Sequence, residues 1–383
     1  MKIALLTPGF STDENDWCIP VLYNLVRELA REHEIHVFTI RHPPRAGTYP
    51  FHGATVHALG GADRARWARI PLLFRALTAI LGEARRKPFD LIHAFWADEP
   101  GFLAVFAGGM LQIPRVVSLM GGELVGLREI GYGGQLSIVN SALTGYALRG
   151  ANAVTAGSAY LAQRAKAQFP EISVQVFPLG VDTDLFHLPT GDTLPLFPPN
   201  QTHLLHTAAL VPIKEQATLF RAFARALQTH PDTHLHLLGD GPLRPTLEQL
   251  AEELNISAHL TFHGTVPHHE TPRFYQAADL CVLSSRFESQ GMVVLEAAAC
   301  GVTTVGTEVG ILPEVVPPEQ VVRVGDVETL ARAITSALSN PAQTRKIGGG
   351  HVAQVGDRYD LAKYIQSLSG LYSGLVTPDK VSV

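Results

Sequence analysis

Glu288 and Glu296 stand eight positions apart around Gly291, in the stretch Phe287-Glu288-Ser289-Gln290-Gly291-Met292-Val293-Val294-Leu295-Glu296-Ala297-Ala298-Ala299-Cys300-Gly301. A carboxylate inside such an apolar run is costly to bury without a polar partner. Gly291 is placed to open a helix over Met292–Cys300. The first N–H groups of a helix have no intrahelical acceptor, and the helix dipole favours an anion there. The amides of Gly291, Met292 and Val293 therefore offer a phosphate site, and the two carboxylates offer acceptors for hydroxyls. A sugar nucleotide needs both. The plainer reading is a helix with one solvated and one capping glutamate. The Ala-Ala-Ala-Cys-Gly continuation speaks against it, because it leaves Glu296 as the one polar residue of an otherwise buried helix.

The elements that must carry these residues alternate along the chain. Strands are expected at Lys2–Leu6, Ile35–Ile40, Leu91–Ala94, Arg115–Leu119, Ala153–Ala156 and Val174–Phe177, with helices between them at 21–32, 71–86, 100–111, 136–149 and 159–167. The βαβα order predicts a parallel sheet covered on both faces. A Pro/Asp/Thr/Gly-rich break follows, and the alternation restarts at His203 with strands near 203–209, 234–238, 259–263, 280–284, 303–306 and 321–324 and helices at 217–228, 243–254, 292–300 and 327–339, before a last helical stretch near Leu361–Leu375. The fold class expected is α/β with two Rossmann-like doubly wound domains facing across a cleft, where ligands of such sheets bind. The boundaries expected are residues 1–185 for an acceptor-side domain, 186–202 for a linker, 203–355 for a nucleotide-binding domain, and 356–383 for a helix returning to the first domain.

Composition agrees with two packed domains. The 383 residues are 46% hydrophobic and 17% charged, and the net charge of −5 gives no reason to expect nucleic-acid binding. Cys18, Cys281 and Cys300 form no metal or redox motif, which suits a reducing cytoplasm. MKIALLTPGF reads as a first buried strand rather than a signal peptide.

The Glu288–Gly301 segment resembles the signature of the family-4 retaining glycosyltransferases of the GT-B fold. Further blocks resemble that family in the same order: Pro178-Leu179-Gly180-Val181-Asp182, Gly239-Asp240-Gly241-Pro242-Leu243-Arg244, Thr261-Phe262-His263-Gly264, Ala277-Ala278-Asp279-Leu280, Ser284-Ser285-Arg286-Phe287 and Pro313-Glu314-Val315-Val316. The resemblance implies that Glu296 holds the ribose hydroxyls and Glu288 a hydroxyl of the donor sugar. Gly291, Met292 and Val293 would meet the sugar and phosphates, and Lys214 the diphosphate as a point charge. Gly264 and Val266 would lie beside the base. Glu288, Lys214 and Glu123 are the expected catalytic residues. Gly9, Phe10, Met120, Gly121 and Gly122 would line the acceptor side. No cofactor or metal is expected; the co-substrate is a nucleotide-diphosphate sugar, and the acceptor a sugar or a lipid-linked hydroxyl.

The chain departs from the family pattern at four places. Ala209 stands where the family has an arginine five residues before the lysine, and Arg286 is the nearest cation to replace it. Met120 stands where the family has a histidine facing the reacting end of the donor, and methionine cannot donate or transfer a proton; Glu123 follows as the acidic member of that block. Gly310-Ile311 replaces a glycine pair, and Pro8-Gly9-Phe10 lacks the frequent double glycine. These changes keep a second function open: a catalytically degenerate protein that binds a nucleotide sugar or a partner without transfer.

Two features outside these blocks have competing readings. The 17 histidines include His234/His236 on one strand face and His268-His269, which suggest zinc less than core or surface roles, since no Cys/His spacing supports a site. Residues 63–87 carry seven basic and two acidic residues interleaved with Trp67, Leu72, Leu73, Phe74 and Leu77. They read as a sheet-covering helix with a solvated basic face, or as a peripheral contact with the inner membrane face.

Overall fold

A computed structural model describes residues 1–13, 15–61, 69–190 and 196–376. The chain forms two compact units: Met1–Gly180 together with the last helix, and Val181–Asp360.

In unit 1 the order is β1 (Lys2–Gly9), α1 (Pro20–Leu29), β2 (Glu34–His42), β3 (Gly47–Phe51), β4 (Ala54–Ala58), α2 (Arg69–Arg86), β5 (Leu91–Phe95), α3 (Glu99–Leu111), β6 (Arg115–Leu119), α4 (Ile138–Gly150), β7 (Ala153–Ala156), α5 (Ala159–Gln168) and β8 (Gln175–Val176). The sheet order is β3-β4-β2-β1-β5-β6-β7-β8. Every pairing is parallel except β3 with β4. That antiparallel hairpin departs from the all-parallel expectation, and its turn rests on His52 and Gly53, both at positive φ. Central strands such as β1 and β5 are buried on both faces, which explains their continuous apolar runs. One face packs Leu6, Phe38 and Ile92 under Leu72, Ala76 and Ile80 of α2 and Leu103 and Ala107 of α3.

Unit 2 runs β9 (Thr202–Thr207), α6 (Gln216–Ala226), β10 (Thr233–Leu238), α7 (Arg244–Glu253), β11 (Leu260–Gly264), α8 (Thr271–Ala277), β12 (Leu280–Leu283), α9 (Met292–Ala299), β13 (Thr304–Thr307), α10 (Leu312–Val315), β14 (Val321–Val322), α11 (Val327–Ser339) and α12 (Pro341–Arg358). Its sheet, ordered β11-β10-β9-β12-β13-β14, is parallel throughout. Chain order reverses between β9 and β12, so the carboxyl ends of these two strands mark the switch point at which such sheets bind ligands.

The expected linker, 186–202, differs in the structure. The unit boundary falls at Val181, and Phe186 and Phe197 are buried in unit 2. Phe197 stacks on His236 with ring centroids 3.7 Å apart. Two aromatic rings gain more by covering the sheet than by staying in water. The last helix, α13 (Leu361–Val376), belongs to unit 1, where Tyr372 Oη lies 2.6 Å from His93 Nδ1.

Candidate active site

The carboxyl edge of the unit 2 sheet gathers five loops, and backbone hydrogen bonds tie them together. After β9, Leu210 N–H donates to Asp240 O of the loop after β10 (3.0 Å), and Gly239 N–H donates to Gly264 O at the end of β11 (2.8 Å). Arg286 N–H, after β12, donates to Ile213 O (2.8 Å), and Ile311 N–H, after β13, donates to Gln290 O (2.7 Å). Side chains add two ties: Ser284 Oγ donates to Lys214 O and Thr307 Oγ1 donates to Ser285 O, each at 2.7 Å. A site built this way is rigid although its residues lie on loops.

Within this frame the structure brings Lys214 and Glu288 together. Lys214 Nζ lies 2.5 Å from Glu288 Oε1, and Ser285 Oγ donates to the same oxygen at 2.6 Å. Both side chains keep a solvent-facing part. Glu296, five residues after Gly291 and in the second turn of α9, is held from the other side: Tyr275 Oη donates to its Oε2 at 2.8 Å, and His268 Nε2 lies 3.8 Å from its Oε1. The compensation that a carboxylate in an apolar helix requires is thus a buried phenol. Gly291 stands before α9 at φ +82°, and Met292 and Val293 fill the first helical positions, whose amides have no intrahelical acceptor. Gly310, at φ +59°, lies against this loop: a Cβ there would meet Gln290 O at 2.4 Å and Glu288 Cβ at 3.0 Å. Gly264, at φ +70°, and Val266 lie at the partly exposed end of β11.

Arg286, the cation expected nearest to the missing arginine, is paired with Glu215 as Lys214 is with Glu288. Its Nε is 2.5 Å from Glu215 Oε1, while Ala209 is exposed and uses its carbonyl to accept from Gln216 Nε2 at 2.9 Å. Sequence reasoning missed Tyr275, Ser285 and His206. His206, on β9, is fully buried, donates from Nδ1 to Val282 O (2.9 Å), and leaves Nε2 without a partner. Burial, with a smaller contribution from the Lys214 ammonium, lowers its pKa to about 4, so the ring is neutral at the pH of a cell.

Of the residues expected on the acceptor side, Phe10 is placed differently from that expectation: its ring is buried against Phe51, edge to face, with centroids 4.9 Å apart. Gly9 is buried where a Cβ would meet Cys18 Sγ and His42 Cβ at 3.3 Å. Met120 is half-buried, Gly121 sits at φ +104°, and Gly122 begins a short 3-10 turn. Glu123 is 1% exposed. Its Oε1 accepts from Met120 N–H at 2.9 Å and from Ala97 N–H at 3.3 Å, and its Oε2 has no partner. Burial, reinforced by the neighbouring Asp98 carboxylate, pushes its pKa up to about 7. Its carboxyl therefore joins the ends of β5 and β6 from inside unit 1.

The histidines pack as a ladder: His203 Nδ1 meets His236 Nε2 at 3.1 Å, and His236 Nδ1 meets His263 Nε2 at 3.0 Å. His36, His57 and Glu83 of unit 1 form a group of metal-ligand type among the described residues. The Lys2 ammonium already supplies the cation there, 3.0 Å from Glu83 Oε1.

Residues 20–185 match the family Glycosyltransferase Family 4, and residues 195–349 match Glycosyl transferases group 1. The chain is 31% identical over 214 residues to the GDP-mannose-dependent alpha-(1-6)-phosphatidylinositol monomannoside mannosyltransferase of Mycolicibacterium smegmatis, a match covering 52% of this chain and 56% of that protein. The match thus spans little more than half of that relative. It is 28% identical over 371 residues to the N-acetyl-alpha-D-glucosaminyl L-malate synthase of Bacillus anthracis, covering 93% of each. The solved structure of the sucrose-phosphate synthase of Thermosynechococcus elongatus superposes with a TM-score of 0.77 at 20% identity, covering 98% of this chain and 99% of that one. Two abutting family matches, together with a shared architecture over nearly the whole chain, place this protein: it belongs to the family-4 glycosyltransferases, the glycosyl transferases group 1, and has the GT-B fold.

Proposed function

We propose that the protein is a retaining glycosyltransferase that moves a sugar from a nucleotide-diphosphate sugar to an acceptor hydroxyl of a glycolipid, polysaccharide or small glycoside. The observation that carries this reading is the paired arrangement at the carboxyl edge of unit 2: Lys214 with Glu288 on one side of Gly291, and Glu296 on Tyr275 on the other. Glu296 accepts from the ribose hydroxyls, and Glu288 from a hydroxyl of the sugar. Lys214, its charge now balanced by Glu288, turns to the diphosphate as that group enters beside the amides of Met292 and Val293, a pairing of cation and helix terminus that serves phosphates without a metal ion. The bond from the anomeric carbon to the phosphate oxygen breaks, and the acceptor oxygen bonds to the same face of that carbon. The acceptor proton passes to the departing phosphate, and the nucleoside diphosphate leaves. Catalysis in this route is positioning plus stabilisation of the leaving charge. The name of the first relative supports a nucleotide-sugar donor and a lipid-linked acceptor, and that of the second a small hydroxylated acceptor.

A second reading, nucleotide-sugar binding without transfer, is favoured by one observation: Ala209 offers no cation, and the nearest replacement, Arg286, is engaged by Glu215. Nucleotide release from a panel of GDP-, UDP- and ADP-sugars, by wild type and Glu296→Ala, separates the two. Release by wild type with one donor, reduced about 100-fold or more in Glu296→Ala, supports transfer. Saturable binding with no release for any donor supports the second reading, and absence of binding to any nucleotide refutes both. The anomeric configuration of the product, read by proton NMR, tests retention.

A further inference from the structure

Where it is described, the basic segment 63–87 covers the unit 1 sheet through Leu72, Ala76 and Ile80, and its Trp67 lies outside the described residues. No helix among the described residues is long and apolar enough to cross a membrane. His206, in unit 2, is buried with chemistry that its packing leaves unused. It stands on β9 and is 1% exposed. The ladder between β9 and β12 pairs Leu204 with Leu280 and Leu205 with Cys281 and goes no further. One residue on, the His206 ring donates to the Val282 carbonyl at 2.9 Å. An imidazole thus enters where the two strands part, at the switch point of the sheet.

A carbonyl only accepts, so Nδ1 carries the proton of this neutral ring. Nε2 is then a lone pair, and it is buried without a partner. An acceptor left in that state is costly, and a donor that reaches it is favoured. The charged side chains that act on the ring are Lys214 and Glu288. Of the two, only the ammonium is a donor. The backbone of Lys214 is held: its N–H donates to Val211 O at 3.0 Å, and its carbonyl accepts from Ser284 Oγ at 2.7 Å. Its side chain is the part that can turn, and Glu288 Oε1 takes one of the three N–H groups of the ammonium. Ser285 Oγ donates to the same oxygen at 2.6 Å, so Glu288 keeps a donor when Lys214 leaves.

We propose that His206 is a positioning residue for Lys214: when a diphosphate draws the ammonium from Glu288, His206 Nε2 accepts one of its N–H groups and aims another at the phosphate. This assignment rests on the reading of Lys214 as the cation for a diphosphate. The pair then has two arrangements. Without ligand, Lys214 lies on Glu288. With ligand, it lies between His206 and the phosphate, while Ser285 holds Glu288 for the sugar. Lysine is a point charge on a flexible stem, and a fixed acceptor behind it limits where that charge goes. The limit matters in this chain because Ala209 supplies no second cation. A neutral imidazole fits the task, since an imidazolium would repel the ammonium, and burial keeps the ring neutral. The rival role is a structural prop, in which the ring serves only to satisfy Val282 O.

Titration of the full chain with GDP, UDP and ADP, each beside its nucleoside, separates the two roles. His206→Asn keeps an N–H near the place of Nδ1 for Val282 O and removes the acceptor at Nε2. His206→Gln places an amide near Nε2 and gives up the Val282 bond. His206→Asn is expected to weaken diphosphate binding by about ten-fold or more and to leave nucleoside binding at the wild-type level. His206→Gln brings the diphosphate back to within about three-fold of wild type. In a Lys214→Ala background His206→Asn causes no further loss, because the two residues share one interaction. A structural prop reverses the order of the Asn and Gln variants, and that order overturns the proposal. Equal loss of nucleoside and diphosphate in His206→Asn overturns it too, as do additive losses in the double variant. If Lys214→Ala binds the diphosphate as wild type does, the diphosphate reading of Lys214 falls and the role of His206 falls with it. Wild-type binding by His206→Asn alone removes only the role of His206 and leaves that reading standing.

Discussion

At the residue scale, the two glutamates beside Gly291 and the single one beside Met120 show what environment does to a carboxylate. Glu288 and Glu296 lie at a sheet edge with a cation and a phenol as partners, while Glu123 is sealed inside unit 1 with one oxygen unpartnered. Its folded carboxyl keeps the proton to about pH 7, against 4.5 for the free side chain. The folded state therefore binds more protons than the unfolded state between those values. Stability is present in full below about pH 4.5 and is lost as pH rises through about 7, by up to about 3 kcal/mol. Glu123→Gln keeps an oxygen for the Met120 and Ala97 amides and removes the titration. The melting temperature of the variant, minus that of wild type, should rise between about pH 5 and 8. A difference that stays flat across this window would show that the carboxyl is not buried as described.

At the element scale, the loop after β12 and the start of α9 are shaped by glycines whose reasons are tertiary. Gly310→Ala places a methyl 2.4 Å from Gln290 O and 3.0 Å from Glu288 Cβ, at a φ of +59°. The loop carrying Glu288 must move, and donor-dependent release should fall by about ten-fold or more, with a stability loss of about 1–3 kcal/mol. Wild-type kinetics in Gly310→Ala would separate that glycine from the site. The alternation of strands and helices, and the Glu288–Glu296 pair, were legible because they depend on local spacing. The β3–β4 hairpin was not, since Pro50 and the His52-Gly53 turn carry no hairpin dipeptide. Helix α12 contains Gly348-Gly349-Gly350, a run that local propensity disfavours. It forms because Gly348 lies against the Gly301 carbonyl, where a Cβ would come within 2.2 Å. Tyr275 was missed for a related reason: it reaches Glu296 from α8, a seven-residue helix with no apolar period long enough to read.

At the scale of the whole molecule, chain order and unit membership disagree at the end of the chain. The backbone leaves unit 1 after Gly180, builds unit 2, and returns at Leu361. Helix α13 then completes unit 1 with Tyr364 beside Phe177 (5.6 Å) and Tyr372 on His93. His93 is fully buried, and burial lowers its pKa to about 3, so it stays neutral and bridges Tyr372 to Ser118 Oγ (2.8 Å), which meets Thr155 Oγ1 at 2.6 Å. This buried chain crosses β5, β6 and β7 and ends on the last helix, so sequence-distant residues share one polar network in which a missing member leaves its neighbour unsatisfied. Tyr372→Phe strands His93 Nδ1 and should cost about 1–3 kcal/mol. The loss is expected in unit 1 alone: amide hydrogen exchange should quicken in β5–β7, while protection of β9–β13 stays at the wild-type level. Loss of protection spread equally over both sheets would mean that α13 supports the molecule globally rather than closing the unit that begins at Met1.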